Sequence, residues 1–463
     1  MSESGVARAA AACLFPGFYG QTVPGWLKGM LAEGLGGVVL FSRNIADPEQ
    51  VSALTAELRA ERPDLLIATD EEGGDVTRLE TASGSSFPGN LALGAVDDPA
   101  LTRRVGAAIG GELAAAGMDL DLAPVADVLV DPASAIVGVR SFGSDPRLVA
   151  AQVAAFVEGM QGVGVAACAK HFPGHGETAA DSHTELPSSD ASLDVLRERA
   201  LPPFAAAIEA GVRVVMTAHI RFGALGEEPA TLNPAVIELL RTELGFDGVV
   251  MTDALEMQGA GGPAGIERSA VRSLAAGADA LCLGADLTPE QVKGVQAAIV
   301  SAVQDGALAE ERLEAASRVA DLAAWTSPRP FQDRAAGAEA ARRALRVEGD
   351  PAAGEDPLVV ELRPEPTIAA GPAGHGLGEL LGAETIRLRE GDRLPTLDPG
   401  RPLVLVLRDA HRHPWQRELV VPEAVVIETG VPEWRPDRAR AFVATQGPGR
   451  ANLAAAAELL APR

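Results

Sequence analysis

Four short runs of this 463-residue chain gather most of the side chains able to move protons or hold charge. The first is residues 69–74, with Asp70, Glu71 and Glu72, followed by Arg78. The second is 138–143, centred on Arg140. The third opens with Lys170 and His171, passes His175 and Glu177, and runs on to Asp181 and His183. The fourth is 251–257, with Asp253 and Glu256. Each has a plainer reading taken alone: a solvated charge run, a loop salt bridge for Arg140, a helix N-cap for Asp253. His171, His175 and His183 fall within thirteen residues and invite a metal. Pro173 and Gly176 make that stretch an extended loop, without the helical or tight-turn spacing of metal ligands, so no metal is expected. The chemistry left is that of carboxylates, imidazoles and fixed cations. Lysine occurs only at 28, 170 and 293, which singles out the one inside a motif.

The elements that must position these runs are legible in the apolar pattern. Strand-like runs fall at 9–14, 37–41, 65–69, 120–123, 164–169, 212–218, 248–252 and 278–284, separated by helical stretches such as 190–210 and 234–244. Eight β-type runs, each followed by a helical segment, predict an α/β chain built as a (β/α)₈ TIM-type barrel over residues 1–325. In such a barrel the loops after the strand carboxyl ends form the active face, and all four polar runs lie there. Four coincidences of this kind outweigh the plainer readings. A Pro-punctuated linker at 326–335 leads into a smaller C-terminal α/β domain at 336–463. That domain is expected to hold helices at 335–347 and 452–460 and strands at 358–362, 403–407, 424–427 and 441–444. Its histidines 375, 411 and 413 read as surface residues, and Trp415 and Trp434 as packing residues.

Composition narrows the function. Lys and Arg total 39 against 64 Asp and Glu, a formal charge of −25, which argues against nucleic-acid and anionic-membrane partners. No run reaches the ~18 apolar residues of a membrane span. Three well-separated cysteines, 13, 168 and 282, form neither a disulfide framework nor a zinc pattern and point to a reducing cytoplasm.

The run KHFPGHGETAADSHTELP (170–187), with DEEGGDVTR (70–78), GVRSFG (138–143) and GFDGVVMTDALEM (245–257), resembles glycoside hydrolase family 3, in its bacterial β-N-acetylglucosaminidase branch. The resemblance covers most of residues 10–325 in order. It implies a retaining glycosidase without metal or organic cofactor, acting on an amino-sugar glycoside. Asp253 matches the nucleophile, His183 the general acid/base, and Asp181 the group that orients it. Asp70, Arg78, Arg140, Lys170 and His171 match residues that hold the terminal sugar. Ala254, Asp75 and Glu177 depart from the common pattern, where an acidic, a basic and an Asp residue respectively are frequent.

Elementary chemistry agrees. Retaining cleavage needs a carboxylate on one side of the anomeric carbon and a proton donor near the leaving oxygen. A lone imidazole near pKa ~6.5 is poorly protonated at neutral pH, and a carboxylate two residues away favours the imidazolium. Two other outcomes stay open from sequence: phosphorolysis on the same barrel, and a non-catalytic sugar-binding protein.

Overall fold

A computed structural model of the protein describes residues 1–178, 186–262, 265–366, 376–398 and 400–461. The strands of its first part are β1 (Leu14–Pro16), β2 (Gly37–Leu40), β3 (Leu66–Thr69), β4 (Leu120–Asp121), β5 (Ala166–Phe172), β6 (Ser188–Ser189), β7 (Val214–Thr217), β8 (Arg221–Phe222), β9 (Val249–Thr252) and β10 (Leu281–Gly284). Strands β2-β3-β4-β5-β7-β9 run parallel, side by side, β1 pairs with β10, and β6 with β8 forms a separate short ladder. Thr252 N–H donates to the Ala280 carbonyl (2.9 Å), joining β9 to the β10 side, and Gly36 N–H donates to Ala11 (3.1 Å) on the β1 side. The sheet thus curls into a (β/α)₈ barrel.

The barrel strands are buried on both faces, which is why they read as continuous apolar runs. Alternate residues divide between two cores. Val39, Leu66, Ala68, Leu120, Cys168, Met216, Met251 and Cys282 fill the barrel interior. Val38, Leu40, Ile67, Ala167, Val215, Val250 and Leu283 face the helices. All three cysteines are buried free thiols. Asp47, Asp98 and Asp145 each precede a proline and accept a backbone N–H at a helix start, so side-chain cap and preset φ act together.

One expected strand is different. Residues 9–12 of the 9–14 run belong to the helix Glu3–Ala12, and only the short β1 follows. Four consecutive alanines favour helix, and Ser2 caps it by accepting from Gly5 N–H, so propensity and cap prevail over the apolar run.

The helix Ala315–Trp325 closes the barrel floor. The chain then lies along the barrel, Ser327 N–H on the Gly164 carbonyl (3.0 Å) and Arg329 N–H on Val163 (2.8 Å). The next helix, Arg334–Ala344, adds Ala336 and Ala340 to the barrel's outer core. Beyond it lie β11 (Arg346–Gly349), β12 (Leu358–Leu362), β13 (Thr385–Leu388), β14 (Leu403–Leu407), β15 (Val425–Glu428) and β16 (Ala441–Ala444), in the order β11-β16-β15-β14-β12-β13. All neighbours are parallel except β11 and β16. The four central strands are the four expected. β11 and β13 are edges whose exposed, charge-bearing residues hide the pattern. Trp415 and Trp434 pack against the cluster around Val360, Leu405 and Val426. No helix among the described residues is long and apolar enough to cross a membrane.

Candidate active site

The carboxyl ends of the barrel strands surround a cleft of about 490 Å³, lined by residues from all four polar runs: Asp70, Glu72 and Arg78; Arg140; Lys170, His171 and His175; Asp253 and Glu256. That size lies within the usual range for a small-molecule site.

Its densest feature is a charge cluster assembled from three strand ends. Lys170, 2% exposed, places Nζ 2.7 Å from Asp70 Oδ1 and 2.7 Å from Glu72 Oε1. Arg140 closes on the same Glu72 with a two-pronged bond, Nε to Oε2 at 2.9 Å and Nη2 to Oε1 at 2.7 Å. Arg78 reaches Asp70 Oδ2 at 3.7 Å. Burial opposes charge on Lys170, but Asp70 and Glu72 outweigh it and hold the ammonium above its ordinary range. Burial likewise opposes charge on Glu72, and Arg140 with Lys170 holds that carboxyl below its ordinary range. Lys170, Glu72 and Arg140 thus hold one another charged, part of a rigid set of donors and acceptors facing the cleft.

His171 is oriented from behind. Its Nδ1 lies 2.7 Å from Asp127 Oδ2, while Asp127 Oδ1 accepts the backbone N–H groups of His171 (3.3 Å) and His175 (2.7 Å). Burial alone would raise the fully enclosed Asp127, but the two histidines keep it lowered. The loop after β5 is pressed onto the loop after β4 at Gly176, where a Cβ would meet the Val128 carbonyl at 1.7 Å; Val130 and Asp131 N–H donate to the Gly176 carbonyl. Only glycine fits that approach. His175 is 2% exposed and its Nε2 has no hydrogen-bond partner among the described residues.

Asp253 follows β9. Its N–H donates to the Thr217 carbonyl (3.2 Å), continuing the ladder, and its Oδ1 accepts the Ala254 N–H (2.7 Å). Asp253 is not the N-cap of the plainer reading, since the next helical turn, Gln258–Ala260, follows Met257, and the Asp253 side chain lines the cleft. At the mouth, Glu256 accepts the N–H groups of Ala285 (2.6 Å) and Asp286 (2.9 Å). Asp286 in turn accepts from Tyr19 Oη (2.7 Å) and Arg43 (2.6 Å), with the Arg43 guanidinium 4.5 Å above the Tyr19 ring.

Of the residues expected from sequence, Asp70, Arg78, Arg140, Lys170, His171 and Asp253 come together in this cleft. Asp181 and His183, like His375, lie outside the described residues. Sequence reading passed over Glu72 as a partner of Arg140 and missed Asp127. The available signal for Asp127 was a single acid in the apolar run 122–130, just past a barrel strand.

Residues 26–322 match the family described as "Glycosyl hydrolase family 3 N terminal domain". A protein named Beta-hexosaminidase from Chromobacterium violaceum is 38% identical over 330 residues, 69% of this chain and 90% of that protein. One of the same name from Stenotrophomonas maltophilia (strain K279a) is 38% identical over 311 residues, 64% of this chain and 91% of that protein. The solved structure of a glycoside hydrolase family 3 β-N-acetylglucosaminidase from Paenibacillus sp. str. FPU-7 superposes with a TM-score of 0.86 at 30% identity, over 98% of both chains.

Proposed function

This chain belongs to glycoside hydrolase family 3 and is a glycoside hydrolase, and from that premise we propose that it removes a terminal β-linked N-acetylglucosamine by a retaining, two-step mechanism. The reading rests above all on one observation: Asp253 and the Asp70–Lys170–Glu72–Arg140 cluster line the same cleft. The cluster and His171 hold the hydroxyls of the terminal ring, with Arg78 supporting Asp70. Asp253, fixed at a strand end, attacks the anomeric carbon; the glycosidic C–O bond breaks as His183, oriented by Asp181, gives its proton to the leaving oxygen. His183 then takes a proton from water, which attacks the anomeric carbon and releases Asp253. The barrel, 1–325, carries this chemistry; residues 326–335 link it to the small domain, 336–463. The natural substrates we favour are peptidoglycan-derived fragments met in the cytoplasm, a compartment in keeping with three free thiols.

The test is hydrolysis of chromogenic β-N-acetylglucosaminide and β-glucoside, each with and without phosphate, with the anomer first released read by NMR. Preferential release of β-configured N-acetylglucosamine supports the reading. Preference for the glucoside, or an α-configured first product, rejects it, and accumulation of sugar 1-phosphate on adding phosphate replaces hydrolysis by phosphorolysis.

A further inference from the structure

The small domain carries a second cavity, of about 280 Å³, remote from Asp253 in sequence and built on its own sheet. Its lining comes from just past the carboxyl ends of five parallel strands: Arg363 after β12, Arg389 after β13, Arg408 after β14, Thr429 after β15 and Pro448 after β16. Strand β12 is flanked by β13 on one side and β14 on the other, so the chain leaves β12 in one direction and returns in the opposite one. The crevice opened by that reversal is where open parallel sheets place ligands.

The chemistry of the walls narrows the ligand. Leu362, Leu377, Val406, Leu407 and Leu453 make most of the surface apolar, and against it stand four arginines, 363, 387, 389 and 408. The acids lining the cavity are Glu361 and Glu365. Glu361, 4% exposed, serves both Arg363 (2.7 Å) and Arg387 (3.2 Å). Arg408 pairs with Asp75 of the barrel. Arg389 has no ion pair among the described residues. With Arg408 matched by Asp75, the side of the cavity formed by β12 and β13 holds three guanidinium groups, Arg363, Arg387 and Arg389, against Glu361 and Glu365, a local positive excess in a chain of net charge −25. Such a concentration against the overall sign is what anion capture requires, and guanidinium forks match phosphate oxygens in pairs.

We propose that this cavity binds a small organic phosphate, its apolar body against Leu377, Val406 and Leu453 and its phosphate on Arg387 and Arg389. The site is distinct from the glycosidase cleft and does not depend on the reading given for that cleft.

Calorimetric titration of the full-length protein with phenyl phosphate at low salt tests it, beside benzyl alcohol, benzoate and inorganic phosphate, each repeated with N-acetylglucosamine saturating the barrel cleft. The expected result is one binding event for phenyl phosphate, unchanged by N-acetylglucosamine, with benzyl alcohol silent and benzoate and inorganic phosphate each at least tenfold weaker. Arg389→Gln alters an exposed side chain with no ion pair among the described residues and should keep the melting temperature while weakening phenyl phosphate at least tenfold; Arg387→Gln, which leaves Glu361 to Arg363, should weaken it as much. Absence of binding overturns the proposal. So does affinity that survives both substitutions, competition by N-acetylglucosamine, or equal affinity for benzoate, which would mark a carboxylate site instead.

Discussion

Lys170 shows how a single buried charge organises the cleft. Two carboxylates hold it ionised at 2% exposure, and they also fix its direction. Lys170→Ala should therefore lower kcat/KM on every substrate with the same terminal sugar. The loss of a charged hydrogen bond, about 1.5–3 kcal/mol, corresponds to roughly ten- to a hundredfold. Steady-state kinetics on two aglycones checks it, and a loss confined to one aglycone would move Lys170 away from the terminal ring. Asp127→Asn keeps the shape but weakens the hold on His171 Nδ1, and should lower kcat/KM by about tenfold without loss of fold. These residues were unequally legible. Asp70, Arg140 and Lys170 stand out because each ends an apolar run with a charge. The Glu72–Arg140 and Asp127–His171 pairs join residues 68 and 44 positions apart, and such pairing exists only once the barrel has closed.

At the scale of elements, the loop after β3 brings Asp70, Glu72 and Arg78 to the cleft and is closely packed. Gly74, at φ 59°, lies where a Cβ would meet the Gly89 backbone at 2.6 Å. Gly74→Ala should displace the hairpin that bears Glu72, lowering both the unfolding midpoint and kcat/KM; unchanged values for both would show that the hairpin has room. In the same loop Glu71 is wholly buried, and burial raises its carboxyl from 4.5 to about 7, although Thr77 and the N–H groups of Leu79 and Arg78 partly oppose this. Between those two values the unfolded chain ionises while the folded one stays protonated. The contribution of Glu71 to stability is thus full below about 4.5 and lost as pH rises toward about 7. Glu71→Gln should flatten the fall in stability over that window, as read from urea midpoints at several pH values. The barrel strands were readable because both faces are apolar; the 9–14 run misled because its apolar character alone suits a buried strand, whereas its four alanines and the Ser2 cap favour helix.

Across the whole molecule, the small domain is fastened to the catalytic loops. Arg408 bonds Asp75, three residues beyond Glu72. His411 Nε2 lies 2.8 Å from the Pro132 carbonyl, so this histidine is a partly buried interface residue and not the surface residue its sequence context implies. Val431 joins Leu129, Val137 and Val139, next to Arg140, and Ala451 N–H reaches the Ser85 carbonyl at 3.1 Å. None of these contacts is visible in sequence, since each needs both domains in place. Arg408→Ala strands the Asp75 carboxylate at 10% side-chain exposure. Removing one partner of a buried pair costs about 3–5 kcal/mol. In a denaturant double-mutant cycle, Asp75→Ala combined with Arg408→Ala should be less destabilising than the sum of the two; strict additivity would mean the pair does not hold the domains together.

The central claim is that Asp253 forms a covalent bond to the sugar, and it is most directly tested by trapping. Incubation with a fluorinated N-acetylglucosaminyl fluoride, whose fluorine slows both steps while the good leaving group speeds the first, should add one sugar mass to the intact protein. Peptide mapping should place that mass on Asp253, and Asp253→Ala should neither turn over nor become labelled. A label on any other residue, or an Asp253→Ala enzyme that still hydrolyses its substrate, would contradict the account.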